Sequence, residues 1–406
     1  MKKLKLVLVL LVILWISIIG SIFYSTSKQT KMINLIGKTK QEVKEYASEY
    51  KLNLKFENDY SNNIDKNLVM RQNILVNTVL SEGDTLVITL SLGPISKKAY
   101  KEYKVNELGK VPIMMYHGIS NIDNEKTAYK NGNVTKDGYE RTKESFIKDL
   151  DFYYNNNYRM IPLKDYVGGK INVELGKSPI ILTFDGNNKN DFKIKGLDNN
   201  GNIIIDPNSA LGVLEDFKLK YPDYNVTATF FLNKEFLEQP YSGKIINWLI
   251  DNNYDIGNNT YNHYDLTELN CFQTSMEVGK MYDEISKITS NYVKIVSLPY
   301  GVPNEIEHNN FRCILNSQYK NKHYRTMATL KKDGGYNYSP FDNEYRSEIL
   351  NRIKAYDSKE NKDINYYFKL LENNRYISDG DYKTIVIKKE DQEYLNNQYD
   401  LDVVMY

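Results

Sequence analysis

Two short segments of the chain look like the two halves of one metal-dependent hydrolytic site. The first, ILTFDGN, is an apolar, strand-like run that ends on the carboxylate of Asp185, and the second, GNNTYNH, ends on the imidazole of His263. Hydrolysis of an amide on a metal needs three protein ligands and an open position, together with a base and an acid that move protons. Carboxylate and imidazole groups serve in all of these roles, so both segments are candidates for such a site.

The two segments resemble the TFDDG and GNHTxxH motifs of the polysaccharide deacetylase family, also called the NodB-homology or carbohydrate esterase family 4. The resemblance implies that Asp185 is the general base and that positions 186, 259 and 263 hold a metal, usually zinc. Gly186 has no side chain to donate, and Asn259 offers a neutral amide oxygen, which is a poor ligand for zinc. Of the three implied ligands, only His263 is retained.

Two further segments extend the resemblance. MMYHG resembles the MYHxI strand end of deacetylases with a circularly permuted motif order, which implies that His117 is the general acid. SLPYG matches the Pro-Tyr-Gly part of a motif that lines the acetyl pocket, which implies that Pro299 and Tyr300 contact the substrate. Ser297 stands where many relatives carry an Arg that orients the catalytic Asp.

Replacement ligands near these segments would be Asn187, Asp191 and Asp265, but none stands where a strand end would project into the site. Losing residues that only support the ligands already costs ~10–100-fold in metal affinity or activity, and losing two ligands must cost more. Asp185 and His117 could still hydrogen-bond an acetamido group without metal. The sequence therefore favours a glycan-binding pseudoenzyme over an active metal-dependent N-deacetylase with a non-standard ligand set, and a purely structural spacer is the third alternative. The cofactor is zinc or another divalent metal if the site is active, and none otherwise.

Strand-like and helical stretches alternate from residue 110 onward. Such alternation predicts a parallel sheet wrapped by helices. The resemblance, which covers roughly residues 110–300 with a weaker tail to 406, implies a distorted (β/α) barrel with the functional residues at the carboxyl ends of its strands. We assign residues 110–406 to this deacetylase-like domain.

The N-terminus predicts a membrane anchor. Residues 1–5 include three lysines, and residues 6–24 are an uncharged apolar run of about the ~20 residues that cross a bilayer. The lysines should stay cytoplasmic, which places the rest of the chain outside the membrane. A cleaved signal peptide is the alternative, but its apolar core is usually about 7–15 residues and no clean cleavage site follows. An uncleaved single-pass anchor is favoured.

Residues 32–94 follow a polar tether at 25–31 and predict a small α+β domain. A helical apolar period is followed by alternating strand patterns on either side of a Gly-Asp turn. The order resembles a PASTA module, a β-α-β-β unit found outside Gram-positive membranes, although Ile33, Ile74 and Asn77 replace its usual Pro, Pro and Gly. The resemblance implies peptidoglycan or muropeptide binding, and a spacer role stays equally open. Residues 95–109 are charged and are expected to be a linker.

Composition limits the partners and the compartment. The formal charge of +1 balances 53 basic against 52 acidic residues, which gives no sign of a nucleic-acid partner. The expected partners are cell-wall glycan or exopolysaccharide and, through the N-terminal helix, the cell membrane of a Gram-positive-like envelope. Cys271 and Cys313 could form one bridge or remain thiols, and buried free thiols are the favoured state.

Overall fold

The computed structural model describes residues 30–61, 63–185, 192–357, 359 and 362–406. The chain divides into two compact units, Met1–Pro94 and Ile95–Tyr406. The predicted anchor at 6–24 and most of the tether lie outside the described residues, as do Gly186, Asn187 and Asp191. None of the helices in the described ranges combines the length and the apolar character that a membrane crossing requires.

The first unit is a small α+β domain, as predicted. Helix α1 (Lys40–Glu49) is followed by strands β1 (Asn53–Asp59), β2 (Val69–Gln72) and β3 (Thr85–Ser91). The sheet order is β1-β3-β2, with β1 parallel and β2 antiparallel to the central β3. A capping box between Thr39 and Glu42 starts the helix, which buries one face on the apolar residues of the sheet.

The second unit contains a closed parallel barrel, which confirms the predicted (β/α) barrel. Its described strands are β4 (Ile113–Tyr116), β5 (Tyr158–Met160), β6 (Ser178–Asp185), β7 (Thr229–Leu232), β8 (Asp255–Asn258), β9 (Ile295–Ser297), β10 (Ala328–Gly334) and β11 (Leu350–Lys354). In the described part of the chain, seven of them close in the order β6-β7-β8-β9-β10-β11-β4 and return to β6. Strand β5 pairs with the first half of β6 outside this ring.

Helices and short hairpins surround the barrel. The helices are α2 (Lys97–Tyr103), α3 (Lys143–Asn155), α4 (Leu163–Val167), α5 (Ala210–Lys220), α6 (Lys234–Leu237), α7 (Ser242–Asp251), α8 (Cys271–Ser286), α9 (Phe311–Leu315) and α10 (Ile364–Leu371). The remaining short strands form five pairs: Ile119–Ser120 with Arg141–Thr142, Ile194–Leu197 with Ile203–Ile205, Asn316–Tyr319 with Lys322–Arg325, Tyr356–Asp357 with Lys362–Asp363, and Thr384–Ile387 with Asp402–Met405. Short 3₁₀ turns lie at Asn124–Lys126, Lys130–Gly132, Pro299–Gly301 and Lys389–Tyr394.

The segment 95–109, expected to be a linker, belongs to the second unit. It contains α2, whose Tyr100 is buried. The helix in this segment is short and buries only a few apolar residues among charged ones, so the sequence shows no clear apolar period there.

Cys271 and Cys313 form a disulfide, so the favoured interpretation as buried free thiols is wrong. The bond joins the first residue of α8 to α9, 42 positions further along the chain. The sequence shows the number of cysteines but not the packing of these two helices, and it is this packing that brings the thiols within bonding distance.

Candidate active site at the carboxyl end of the barrel

Strand alternation places three polar side chains inside the barrel at its carboxyl end. Side chains of a strand point alternately to its two faces, so residues two or four positions apart share a face. One buried apolar cluster of the second unit includes Ile181, Ile295 and Leu350. On the same three strands, Asp185, Ser297 and Arg352 follow these residues at an even spacing and so point to the same face. All three polar residues are buried. The barrel therefore directs a carboxylate, a hydroxyl and a guanidinium to one place.

The centre of this site is a two-pronged ion pair between Asp185 and Arg352. Arg352 donates from Nη1 to Oδ1 at 2.7 Å and from Nη2 to Oδ2 at 2.8 Å, and its side chain is fully buried. Ser297 Oγ donates to Oδ1 of Asp185 at 2.8 Å and accepts from Nη2 of Arg352 at 3.0 Å. Arg352 Nε also donates to the carbonyl of Lys331 at 2.6 Å. Every prong of the guanidinium thus has a partner within the barrel.

This pairing keeps Asp185 ionised. Burial raises the pKa of the carboxyl group, but the charge and hydrogen bonds of Arg352, helped by His117 and Ser297, more than offset it, and the net pKa lies below the usual value. A carboxylate whose pKa is lowered in this way is a weak proton acceptor. A general base works best when its pKa is near the working pH.

His117 lies beside this pair without a hydrogen bond to it. Its Nε2 is 3.8 Å from Oδ2 of Asp185, which is beyond hydrogen-bond range. Its ring packs on Tyr139 at a centroid distance of 4.6 Å, and its buried Nδ1 has no hydrogen-bond partner among the described residues. Burial lowers the pKa of His117 to about 4, against the opposing effect of Asp185 and with help from Arg352 and His263. The imidazole is therefore neutral at pH 7.

Asn259 and His263 follow the end of strand β8. The side chain of Asn259 is fully buried; its Nδ2 donates to the carbonyl of Ser297 at 3.0 Å. Because a carbonyl only accepts hydrogen bonds, this contact fixes the amide orientation. It leaves Oδ1 buried and without a partner among the described residues. His263 has a positive φ of 58°. Burial lowers the pKa of its imidazole by more than the charges of Asp185 and Glu235 raise it, so the net pKa lies below the usual value.

Pro299 and Tyr300 form the turn after strand β9. Pro299 is buried, whereas Tyr300 is 58% exposed and its ring meets the ring of His263 edge-on at a centroid distance of 5.2 Å. The structure therefore places Tyr300 against His263, and separately brings Asp185, His117 and Ser297 together. The roles given to these residues remain predictions.

The described donor set does not fit zinc. No group of three or more His, Cys, Asp or Glu side chains in the described ranges could hold a metal ion. Both oxygens of Asp185 are bonded to a cationic partner, and Asn259 contributes a neutral amide. Asp265, a candidate replacement ligand, instead accepts hydrogen bonds from the backbone and hydroxyl of Thr267 at 2.8 and 2.5 Å.

Each of the two units contains a segment that matches a protein-family model. Residues 221–312 match the family model described as polysaccharide deacetylase, and residues 30–92 match the model described as PASTA domain. The second unit thus contains a segment similar to polysaccharide deacetylases, and the first unit a segment similar to PASTA domains. The matched deacetylase segment includes Asn259, His263, Pro299 and Tyr300.

Solved deacetylase structures share limited similarity with the chain. The Streptococcus pyogenes deacetylase PplD, solved in complex with acetate, is 18% identical with a TM-score of 0.45, and the match covers 66% of this chain and 98% of that one. BC0361, a polysaccharide deacetylase from Bacillus cereus, is 19% identical with a TM-score of 0.43, covering 64% and 69%. No curated protein matches the chain in sequence.

Sequence reasoning missed Arg352 in the deacetylase domain. The Arg that many relatives carry at the position of Ser297 is absent, and the structure supplies a guanidinium to Asp185 from strand β11 instead. The available signal was the short run LNRIK, in which an Arg stands two positions after a Leu in a strand-like pattern. That run lies in the C-terminal tail, beyond the part that the recognised motifs cover.

We expect Arg352→Gln to lower the free energy of unfolding by about 3–5 kcal/mol, because it leaves the buried carboxylate of Asp185 without its cation. Urea titration measures the change. Lys148→Gln is the matched control: it removes an exposed helical ion pair with Glu144, which is worth less than about 1 kcal/mol. Adding Asp185→Asn to Arg352→Gln should restore part of the loss. A loss from Arg352→Gln no larger than that of the control would contradict the assigned ion pair.

His117 should make the protein less stable in mild acid. Its pKa of about 4 in the folded state lies below the ordinary 6.5, so the folded state binds fewer protons than the unfolded state between these values. Stability from this group is complete above pH 6.5 and falls by roughly 3 kcal/mol as the pH drops to 4. In His117→Gln, the free energy of unfolding should decline less over this window. Parallel pH profiles for the two proteins would show that His117 is not held neutral.

Proposed function

We propose that this chain is a membrane-anchored, extracytoplasmic protein whose deacetylase domain binds N-acetylated glycan without hydrolysing it. The proposal is carried by the chemistry around Asn259. The family resemblance implies a metal-binding histidine at position 259. In this chain the position is an asparagine, whose side-chain amide donates to the carbonyl of Ser297. A neutral amide held in this way is a ligand for polar organic groups rather than for zinc.

The groups at the barrel end suit an acetamido sugar. The amide N–H and the hydroxyls of such a sugar are donors, and the buried Oδ1 of Asn259 is an acceptor without a described partner. A buried polar atom of this kind costs free energy until a ligand or water satisfies it. Neutral His117 has one nitrogen that donates and one that accepts, so it suits the acetamido carbonyl or a hydroxyl. The exposed ring of Tyr300 offers an apolar surface beside these groups.

The target and location follow from the remaining parts of the chain. The apolar run at 6–24 would hold the protein at the cell membrane, and the PASTA domain suggests a place in the wall of a Gram-positive-like envelope. Cell-wall glycan, including peptidoglycan, and exopolysaccharide are the N-acetylated polymers that such a location offers.

The second candidate is an active N-deacetylase, a hydrolase of the C–N bond of acetamido sugars, with a non-standard set of metal ligands. Retention of the base–acid arrangement favours it: Ser297 and Arg352 orient Asp185, and His117 lies 3.8 Å away. In this function Asp185 would accept the proton of the attacking water and His117 would protonate the leaving amine. Its weakness is the low pKa of both groups.

Acetate release from N-acetylglucosamine oligomers in the presence of zinc separates the two candidates. We expect the natural chain to bind the oligomers and release no acetate, and we expect the double variant Gly186→Asp, Asn259→His to release it in a zinc-dependent manner. Binding is measured by calorimetry on the same samples. Acetate release by the natural chain that a chelator abolishes would overturn the pseudoenzyme. A double variant that binds zinc but stays inactive would show that the roles of Asp185 and His117 are misassigned.

A further inference from the structure

The PASTA domain exposes a group of aliphatic side chains that its fold does not use. Five residues outside its core are each between 41% and 58% exposed, and we refer to them as the aliphatic face: Ile33, Ile36, Leu75, Val76 and Val79. Single exposed aliphatic residues are common on protein surfaces, but a group of them marks an interaction site.

Backbone hydrogen bonds bring the two halves of the aliphatic face together. The segment 30–36 runs antiparallel to the segment 72–80: Met32 N donates to the carbonyl of Thr78, and Asn77 N donates to the carbonyl of Met32, both at 2.8 Å. Lys31 bridges Val79 in the same register. The bridge puts Lys31 opposite Val79, and Ile33 lies two positions after Lys31, so Ile33 and Val79 share the outward side while Met32 enters the core.

The face has little to offer a sugar. The one side-chain amide that joins the two segments, that of Gln72, is fully used: Oε1 accepts from Leu35 N, and Nε2 donates to the carbonyls of Ile33 and Ile74. The five exposed side chains carry no polar atom. Glycan recognition uses convergent polar groups and aromatic rings, whereas an aliphatic surface matches another apolar phase.

The position of the aliphatic face in the chain indicates that the apolar phase is the lipid bilayer. Ile33 follows Tyr24, the last residue of the apolar run, by nine residues, which span about 30 Å at most when fully extended. If residues 6–24 cross the membrane, as the proposed function holds, the face stays close to the bilayer surface. Lys31, which is exposed at its edge, would meet the phosphate headgroups.

From this we infer that the aliphatic face of the PASTA domain lies against the outer surface of the membrane that holds the chain, with its side chains in the headgroup–acyl boundary. The inference rests on the proposed membrane anchoring. It gives the aliphatic face of the PASTA domain a membrane-docking role and leaves the glycan partner of the barrel unchanged.

Site-directed fluorescence of the full chain in lipid nanodiscs tests the inference. Cys271 and Cys313 are paired, so an added cysteine is the only free thiol and can carry an environment-sensitive dye. Leu75→Cys puts the dye on the aliphatic face. Asn58→Cys is the matched control, because it is exposed on β1, at the opposite edge of the sheet from β2. Doxyl-labelled lipids then quench any dye that enters the bilayer.

We expect a blue-shifted emission and lipid quenching for the dye at residue 75, and neither for the dye at residue 58. Val79→Asp, added to the Leu75→Cys chain, should reduce the quenching to the level of the control. Unquenched dye at residue 75 in discs that hold the chain would overturn the inference and leave the anchoring intact. A chain that does not incorporate into discs would overturn both. A blue shift that depends on protein concentration, without lipid quenching, would assign the face to a second copy and also overturn it.

Discussion

The ion pair between Arg352 and Asp185 is the interaction on which the site depends. A carboxylate at the inner end of a barrel strand loses its hydration, and the free-energy cost of that loss is large unless a cation with good geometry replaces the water. Arg352 provides this geometry, with two parallel hydrogen bonds of 2.7 and 2.8 Å. Its other contacts, to the carbonyl of Lys331 and to Ser297, tie the pair to strands β10 and β9. One guanidinium thus connects β6, β9, β10 and β11.

The pair also sets the character of the groups around it. Its cation keeps Asp185 ionised, and burial together with that same cation keeps His117 neutral. Asn259 follows the end of the neighbouring strand β8. Its Nδ2 donates to the backbone carbonyl of Ser297, and its Oδ1 has no hydrogen-bond partner among the described residues. The result is a set of fixed donors and acceptors of the kind that orients a polar ligand in a binding site. A proton-transfer catalyst would instead hold groups with pKa values near the working pH.

The architecture was predictable because it follows from local patterns. Alternating strand and helix stretches predict a parallel sheet wrapped by helices, the family resemblance implies that this sheet closes into a barrel, and the PASTA-like order predicts the small domain. The strand-end positions of Asp185 and His117 brought the two residues together as their motifs indicate. Arg352 was not predictable in the same way, because a contact between the last and an early strand of a closed barrel depends on closure and register. The Cys271–Cys313 bond depends on helix packing for the same reason.

Because we propose that the barrel end binds organic polar groups and has lost its metal, its affinity for zinc is the property to measure first. Titration calorimetry of the purified chain with zinc should show no binding at micromolar concentrations, and His263→Ala should leave the heat signal unchanged. One imidazole with water molecules does not reach the three-ligand set of a catalytic zinc site. Micromolar or tighter binding that His263→Ala abolishes would rule out a metal-free site and establish a ligand set that includes His263.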